Sequence, residues 1–548
     1  MRLLKIVLIF PPQAQPFIPH LALPMLASVL RREGFEVVCF DFNLESYLDF
    51  LSPNVLKNYG VPTFQAMQVD QFQKNLRTGF DYFLPSEYYT SVELLSDCLN
   101  YVAYKHKINW TFKDFSIPGY SPASSEDIIS ASIDREKNIF VDYFEKKVEM
   151  IEAEKPDVVG ISVAWQSQLV PAFTLARIVK RRMAGVHVTM GGSHVAHIAE
   201  YLQRKLKLFS FVDSFLPFEG EVALPALIQS ISKKDLSSAP GLIYASCKKV
   251  ITNPPAPPVD LNKLPSPDFD GFNLKKYLSP QTYLPVYASR GCYWGRCAFC
   301  SHHLSGCAFR VRLPEKVFND LNYLYEKYGC KNFYFSDDAM PPEQIKKLAG
   351  MIKDEGRPYR WMGEIRAEKF MDLDYFKALY EGGCRVLLFG VESGSDKVLE
   401  NMEKGCSIEL MKKVILSANE AGIITWVFFF LGFPGELPKD AEKTINFIIE
   451  NRREIDAVAG GRFMLLKGSP VFRNPGKFGI KITEPDKKND IALAFPYVEI
   501  DGIHPEKASE MLNALRNDRR AKKFLESFVC EPHMLFFRKS YFQKKQIN

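Results

Sequence analysis

The sequence predicts an α/β chain with a doubly wound parallel sheet at the front, a second βα series behind it, and a small helical region at the C-terminal end. Three observations lead there. Apolar strand-like runs alternate with helical apolar spacing over residues 1–240 and again over 286–480. Near-continuous apolar strands of that kind belong to parallel sheets covered on both faces. Between the two series, Pro254 to Pro285 holds 8 of the 35 prolines, which excludes a helix or a central strand and makes 241–285 an extended linker. The 548 residues, 47% apolar and 24% charged, have the makings of ordinary cores in roughly three to four units of about 150 residues each.

Lys5 to Phe10 reads as a buried first strand, Leu21 to Arg32 as a helix stopped by Gly34, and Phe35 to Phe40 as a second strand closed by Asp41. The pattern resumes with a strand in Pro156 to Val163, a helix over Leu169 to Arg182 and a strand over His187 to Met190 that ends in Gly191-Gly192. Phe211 to Asp213 then leads to a helix near Val222 to Ser232. Leu44 to Glu154 interrupts the alternation. Its Tyr and Phe content argues against disorder, so a mostly helical insertion near the ligand face is expected. Behind the linker, strands are expected at Val286–Ser289, Phe333–Ser336, Arg360–Gly363, Val386–Val391, Thr425–Leu431 and Arg462–Leu466. Helices are expected at Pro314–Lys327, Pro342–Glu355 and Asp440–Glu450. Six βα units fit an open sheet or a full or partial barrel, and periodicity does not choose between them. Residues 481–548 close the chain, with Arg516, Arg519, Arg520, Lys522 and Lys523 on a helical pattern read as a solvated face or a lid.

The 70 Lys and Arg against 64 Asp and Glu leave a net charge of +6, too thin for dedicated nucleic-acid binding, which needs a concentrated basic face. The longest apolar stretch, Gly422 to Pro434, falls short of the ~20 residues that span a bilayer. Lys5, Pro11 and Pro12 spoil the first residues as a signal peptide. Eleven cysteines without a secretory signal point to reduced thiols and a cytoplasmic location.

Three of those cysteines, Cys292, Cys297 and Cys300, lie on one glycine-containing loop directly after a strand. Thiolates are soft ligands for zinc or iron–sulfur clusters. A structural zinc would take a fourth ligand from His302, His303 or Cys307, whereas a cluster held by three thiolates leaves one iron open.

A three-cysteine loop after the first strand of a βα series resembles the radical S-adenosylmethionine superfamily, whose members hold a [4Fe-4S] cluster through Cys-x3-Cys-x2-Cys on a partial TIM barrel. Here the first gap, Tyr293 to Arg296, is four residues, and Gly295 is expected to absorb the extra one. Tyr293 and Trp294 are expected to pack over the cluster. Gly390 to Ser395 resembles the superfamily's stretch contacting S-adenosylmethionine, and Gly432-Phe433-Pro434-Gly435-Glu436 its turn near the adenine. Trp361 to Glu368 and Phe335 to Asp338 occupy strand ends facing the same cavity. The resemblance therefore implies cosubstrate contacts at Asp337, Asp338, Arg366, Glu392, Ser393, Gly432 and Pro434. In it Glu392 accepts ribose hydroxyls, Asp337 or Asp338 an ammonium group, and Arg366 pairs with a carboxylate.

The front sheet, proline linker and barrel together resemble the cobalamin-binding members of that superfamily. The segments that carry the likeness are Phe10-Pro11-Pro12, Leu23 to Leu30, Gly160-Ile161-Ser162, Gly191 to His194, Phe218-Glu219-Gly220-Glu221 and Leu264 to Asp268. They imply a Rossmann-like cobalamin-binding domain ahead of a partial (β/α)6 barrel. Loops at Pro11, Ser162, Gly191 and Gly192 should converge on the corrin or its tail. The Asp-x-His-x-x-Gly motif that ligates cobalt elsewhere is absent from the sequence. His194 and His197 read as surface residues, and Trp165, Gln166 or Gln168 are expected near the lower corrin face.

The implied activity is methylation of an unactivated carbon, or of phosphorus, through methylcobalamin and a 5′-deoxyadenosyl radical. An external electron donor of the flavodoxin or ferredoxin type is implied with it. Leu44 to Glu154 and Gly461 to Pro470 faintly resemble members acting on ribosomal peptides, which suggests a peptide or another small natural-product substrate. A cyclase or rearrangement enzyme and a non-enzymatic cobalamin or iron–sulfur sensor are the rival readings. A methylthiotransferase would need a second cluster, for which Cys39, Cys98 and Cys247 are too scattered.

Overall fold

A computed structural model describes residues 4–77, 85–301, 308–521 and 531–537. The front sheet begins with β1 (Lys5–Phe10), α1 (Ala22–Arg32) and β2 (Glu36–Asp41). Five of the six residues of β1 are buried, as a central parallel strand requires. Phe35 N–H closes the end of α1 on the Leu30 carbonyl at 3.0 Å. The expected insertion is helical: α2 (Phe42–Phe50), α3 (Pro53–Asn58), α4 (Thr63–Arg77), α5 (Pro85–His106), a small ribbon of β3 (Asn109–Trp110) and β4 (Phe115–Ser116), then α6 (Ser125–Ile133). The last helix of that stretch, α7 (Phe140–Glu154), is the crossover that covers the sheet before β5 (Val158–Ser162). After it come α8 (Leu169–Arg182), β6 (His187–Gly191), α9 (Ser193–Leu202), β7 (Ser214–Leu216) and α10 (Gly220–Lys233).

The strand order is β2-β1-β5-β6-β7-β8-β9, parallel from β2 to β7. The chain winds outward in opposite directions from β1 and β5, so their carboxyl ends form the switch-point crevice where open sheets bind ligands. The sheet extends into the expected linker. β8 (Ile243–Ser246) and β9 (Lys249–Thr252) form an antiparallel hairpin on its edge, and the extended, proline-rich path starts only after it. The hairpin turns at Cys247 and Lys248, both with positive φ, a tight-turn conformation usually announced by Asn or Gly.

Six parallel strands make the second sheet, in the order β10-β13-β14-β15-β16-β17. They are β10 (Tyr283–Val286), β13 (Asn332–Phe335), β14 (Arg360–Ile365), β15 (Cys384–Glu392), β16 (Ile424–Leu431) and β17 (Ala457–Arg462). Between β10 and β13 come the two-residue strands β11 (Ser289–Arg290) and β12 (Arg310–Val311) and the helix α11 (Pro314–Tyr328); α12 (Pro342–Asp354), α13 (Leu373–Glu381), α14 (Asp396–Asn401), α15 (Ile408–Glu420) and α16 (Pro438–Glu450) follow. The first strand starts earlier than expected from the sequence, at Tyr283, and tolerates Pro285 because it lies on an edge. The sixth strand is Ala457–Arg462 rather than Arg462–Leu466. The apolar Leu465–Leu466 that suggested the later position forms a short ribbon strand, β18, outside the barrel.

Alternate residues of the barrel strands part into two cores. Phe333, Trp361, Leu387 and Val427 pack outward with the helices. Tyr334, Met362, Leu388, Trp426 and Phe428 face inward and share one apolar cluster with the front domain, bridged by Met534 to Phe537. That short segment touches both bodies. His533 Nδ1 is 3.0 Å from Tyr88 Oη, Phe536 stacks edge-on to Tyr283, and Arg360 donates to the Leu535 carbonyl. After β18, the chain adds α17 (Pro470–Arg473), β19 (Ile480–Ile482), β20 (Ala494–Phe495), β21 (Tyr497–Glu499) and the helix α18 (Pro505–Asn517). Arg519 and Arg520 are exposed just past that helix; Lys522 and Lys523 lie outside the described residues.

Where the linker enters the barrel, Arg312 and Asp320 form an ion pair at 2.5 Å, exposed by 1% and 2%, and Ser266 Oγ donates to Asp320 at 2.6 Å. Removing one partner of a buried pair strands the other charge. Asp320→Ala is therefore expected to lower the urea unfolding stability by about 3–5 kcal/mol; a loss below about 1 kcal/mol, the range of exposed pairs, would contradict it.

Candidate active site at the barrel mouth

The cysteine loop is an excursion from a two-rung ribbon. β11 and β12 pair antiparallel, Ser289 with Val311 and Arg290 with Arg310, and the loop leaves and returns between them. Asp337, just past β13, brackets its root. Its carboxylate accepts from Ala288 N–H at 3.0 Å and from Ser289 Oγ at 2.6 Å. On the far side, Ala298 N–H donates to the Met402 carbonyl at 2.8 Å and Val471 N–H to the Ala298 carbonyl at 3.1 Å. Cys292, Cys297 and Cys300 are half-buried. Gly295 has φ +60°, so the residue added to the first gap takes the left-handed turn that glycine favours.

Trp294 and Tyr293 fix the loop rather than stand free. Trp294 Nε1 donates to the Glu403 carbonyl at 2.9 Å, and the Arg366 guanidinium lies over its ring at 4.0 Å. Tyr293 Oη donates to Glu368 at 2.9 Å. Glu392 ends β15 at φ +62°, beside a register shift between Gly390 and Glu392. A bulky residue rarely holds that conformation unless its surroundings impose it. Here the buried Lys404 ammonium holds the carboxylate at 2.8 Å. Burial opposes the charge on Lys404, but Glu392 and the neighbouring Cys297 raise its pKa above the ordinary value. Burial pushes the Cys297 thiol up to about 11, with Lys404 pulling the other way; metal ligation is what turns such a thiol into thiolate.

The residues expected around the cosubstrate divide into two groups. Asp337 is engaged with the loop root, and burial pushes its carboxyl up to about 7. Ser393 is fully buried against Thr444, and Arg366 is taken up by an ion pair with Glu368 and by the Lys404 carbonyl. Asp338, Glu392 and the Gly432–Pro434 turn remain on strand ends around the mouth. Gly432 has φ +85°, its N–H donates to the buried Glu436, α18 seats on it through Ala508, 3.1 Å from where a Cβ would stand, and just before that helix Ile503 N–H reaches the Glu436 carbonyl at 2.9 Å. Lys404 had no signal of its own in the sequence; Glu436 lay within the quoted Gly432 to Glu436 turn and Glu364 within the strand-end stretch Trp361 to Glu368.

At the front sheet, Pro11 follows β1, Ser162 ends β5 and Gly191-Gly192 close β6, so all four stand on the carboxyl edge of neighbouring strands. The glycines there approach the chain's own backbone. A Cβ on Gly192 would lie 2.4 Å from the Val163 carbonyl oxygen, and one on Gly191 2.9 Å from that of Leu216. Gln168 is fully buried and laces the loops, donating to the Pro11 carbonyl at 2.6 Å and accepting from Ala164 N–H at 2.8 Å, so it is not available to a corrin. Trp165 is 48% exposed, edge-on to Phe10 and His20, and Gln166 is exposed beside it. His194 is buried, not superficial, and burial lowers its pKa to about 4. Cys39, Cys98 and Cys247 sit on β2, α5 and the edge hairpin.

A model of the radical SAM superfamily matches residues 286–448, and one of the B12 binding domain matches residues 126–228. An uncharacterized methyltransferase of Pyrococcus horikoshii is 32% identical over 398 residues, 72% of this chain and 83% of that one. The chain belongs to the cobalamin-binding radical S-adenosylmethionine enzymes. This radical enzyme is also 25% identical, over 54% of each chain, to the anaerobic magnesium-protoporphyrin IX monomethyl ester cyclase of Rubrivivax gelatinosus. Its fold matches that of the radical S-adenosylmethionine methyltransferase TsrM of Kitasatospora setae, at a TM-score of 0.63 and 16% identity over 100% of this chain and 98% of that one.

It is a cobalamin-dependent radical methyltransferase whose cofactors are a [4Fe-4S] cluster, S-adenosylmethionine and cobalamin. The donor set at the barrel mouth fits the cluster: three soft thiols on one loop with a cationic neighbour. Among the described residues no three His, Cys, Asp or Glu side chains stand close enough to grip one metal ion, whereas the thiolates of a cluster each bind a separate iron. His302, His303 and Cys307, the fourth ligands a zinc site would need, lie outside the described residues. No helix among the described residues is long and apolar enough to cross a membrane.

Glu364 points inward from β14. Burial pushes its carboxyl up to about 8, reinforced by Glu531, Asp338 and Glu392 and opposed by Lys404. An acid raised by folding binds its proton more tightly in the native than in the unfolded chain, so stability falls as pH rises from about 4.5 towards 8. Glu364→Gln is expected to match the wild type near pH 4 and to exceed it by at least about 1 kcal/mol at pH 9, since each pKa unit is worth about 1.4 kcal/mol. Urea unfolding at both pH values checks this, and a gap independent of pH would contradict it.

Proposed function

We propose that the enzyme methylates an unactivated carbon of a peptide or another natural-product scaffold. The observation that supports the reading is the direct ion-paired contact between the front sheet's Glu219 and Arg290, two residues before Cys292, which ties the carboxyl edge of the front sheet to the root of the cysteine loop. In this reading Cys292, Cys297 and Cys300 hold the cluster, and Pro11, Ser162, Gly191 and Gly192 border the cobalamin. When bound, the cluster supplies the electron that splits S-adenosylmethionine into methionine and a 5′-deoxyadenosyl radical, and the cobalamin supplies the methyl group.

The chain's own residues orient and shield. Glu392, held by Lys404, accepts the ribose hydroxyls; Asp338 takes the ammonium group; the Gly432–Pro434 turn borders the adenine. Arg366 acts through Glu368 and Trp294 to keep the loop in place. Trp426, Phe428 and Phe430 give the inner wall an aromatic lining that suits an apolar scaffold and keeps water from a radical.

Anaerobic reconstitution with iron, sulfide and cobalamin, then incubation with S-adenosylmethionine and a reductant, tests the assignment. Methylation yields both 5′-deoxyadenosine and S-adenosylhomocysteine. Deoxyadenosine alone identifies a cyclase or rearrangement enzyme, and neither product identifies a sensor. Cys297→Ala is expected to reduce deoxyadenosine to the level of protein reconstituted without iron while retaining cobalamin. Loss of both cofactors together would refute their placement in separate domains.

A further inference from the structure

Glu219 stands at the start of α10, on the carboxyl-end edge of the front sheet beside β7. Its carboxylate is saturated from across the domain boundary. Oε1 accepts from Arg290 Nη1 at 2.8 Å and from Arg310 Nη2 at 2.6 Å; Oε2 accepts from Arg310 Nη1 at 3.0 Å and from Val259 N–H at 2.9 Å. Arg290 also pairs with the buried Glu221 one residue beyond Gly220. Arg310 reaches the Val259 carbonyl at 2.6 Å, tying in the linker.

Arg290 and Arg310 are direct cross-strand partners in the ribbon that opens and closes the cysteine loop. Like charges opposite one another destabilise a strand pair, and this pair has two rungs with which to resist. The compensating carboxylate comes from the other domain, in charge-assisted bonds that are the strong kind. Gly220 seats Glu219 tightly: a Cβ there would lie 2.8 Å from Leu26 Cδ2 of α1, the helix that follows the Pro11 loop. The ligand edge, α1, Glu219 and the ribbon thus form one chain of contacts.

We propose that Glu219 is a positioning residue that couples occupancy of the front domain by cobalamin to the position of the cysteine loop's root, Ser289–Arg290 and Arg310–Val311, by bridging Arg290 and Arg310. The proposal rests on the methylation reading for its catalytic consequence, though not for the coupling itself. Holding the loop relative to the front sheet keeps the substrate radical within reach of the methyl group. With the bridge weakened, radicals form that are not methylated.

The test uses the full chain reconstituted with iron and sulfide, with and without hydroxocobalamin, and two variants, Glu219→Gln and Arg310→Lys. Hydrogen exchange in peptides covering 287–312 is the first readout. Cobalamin is expected to slow exchange there in the wild type. In Glu219→Gln the same peptides should exchange about tenfold faster, as loss of a charge-assisted bond predicts, and should not respond to cobalamin although the cofactor still binds. The ratio of 5′-deoxyadenosine to methylated product is the second readout and is expected to rise. Arg310→Lys, which keeps the charge but loses the fork, should fall between the two in both readouts and decides the matter if Glu219→Gln does not fold. A wild-type-like cobalamin response in the variants would overturn the proposal. A wild type that makes no S-adenosylhomocysteine would overturn the methylation reading and leave the exchange comparison standing.

Discussion

The chemistry of this enzyme depends on one constraint: a long, glycine-containing loop has to present three thiols at a fixed place while being rooted in a ribbon of two rungs. Such a ribbon has no independent stability. It is held instead by acids borrowed from elsewhere, Asp337 of the second barrel strand at its root and Glu219 of the front sheet across its rungs. Arg312, one residue beyond the ribbon, continues the pattern with Asp320 in the first barrel helix. Each of these carboxylates is buried or nearly so, and each faces N–H or guanidinium donors, the condition under which a buried charge is tolerable.

The inner wall of the barrel shows the opposite electrostatic habit. Asp338, Glu392 and Glu531 act there on Glu364, with Lys404 as the opposing cation, and in a poorly hydrated space these like charges add to burial in raising the proton affinity of Glu364. Glu392 is fixed by that lysine at 2.8 Å, at a backbone angle a free side chain would not choose. The acids outside the barrel build the loop; those inside gather around Glu364 on the inner wall.

Much of this was legible in the sequence because hydrophobic periodicity fixes strands and helices that bury whole faces. Lys5–Phe10 and Leu169–Arg182 fall where the apolar pattern put them, and the three-cysteine loop follows a strand as expected. Where burial is slight, the pattern fails. The strand Lys249–Thr252 is nearly all exposed, and its turn uses Cys247 and Lys248 at angles no local residue announces. β17 contains Gly460 and Gly461, which have no side chain to advertise a core. Acids at strand ends are ambiguous for another reason: type and position say that Asp337 is near the mouth, but only the register of its neighbours decides whether it meets a ligand or the loop root. Lys404 lies on a turn with no motif, so its pairing with Glu392 was invisible.

The segment from Glu531 to Phe537 belongs to neither sheet yet completes the apolar interior of both. In a chain made from its amino end, such a keystone is laid after every strand it joins has emerged. Before then the front sheet and its insertion have a partial core, and the barrel's inner wall stands uncovered at Tyr283, Tyr334 and Met362. The apolar interior that the two bodies share is therefore completed only once that segment has emerged.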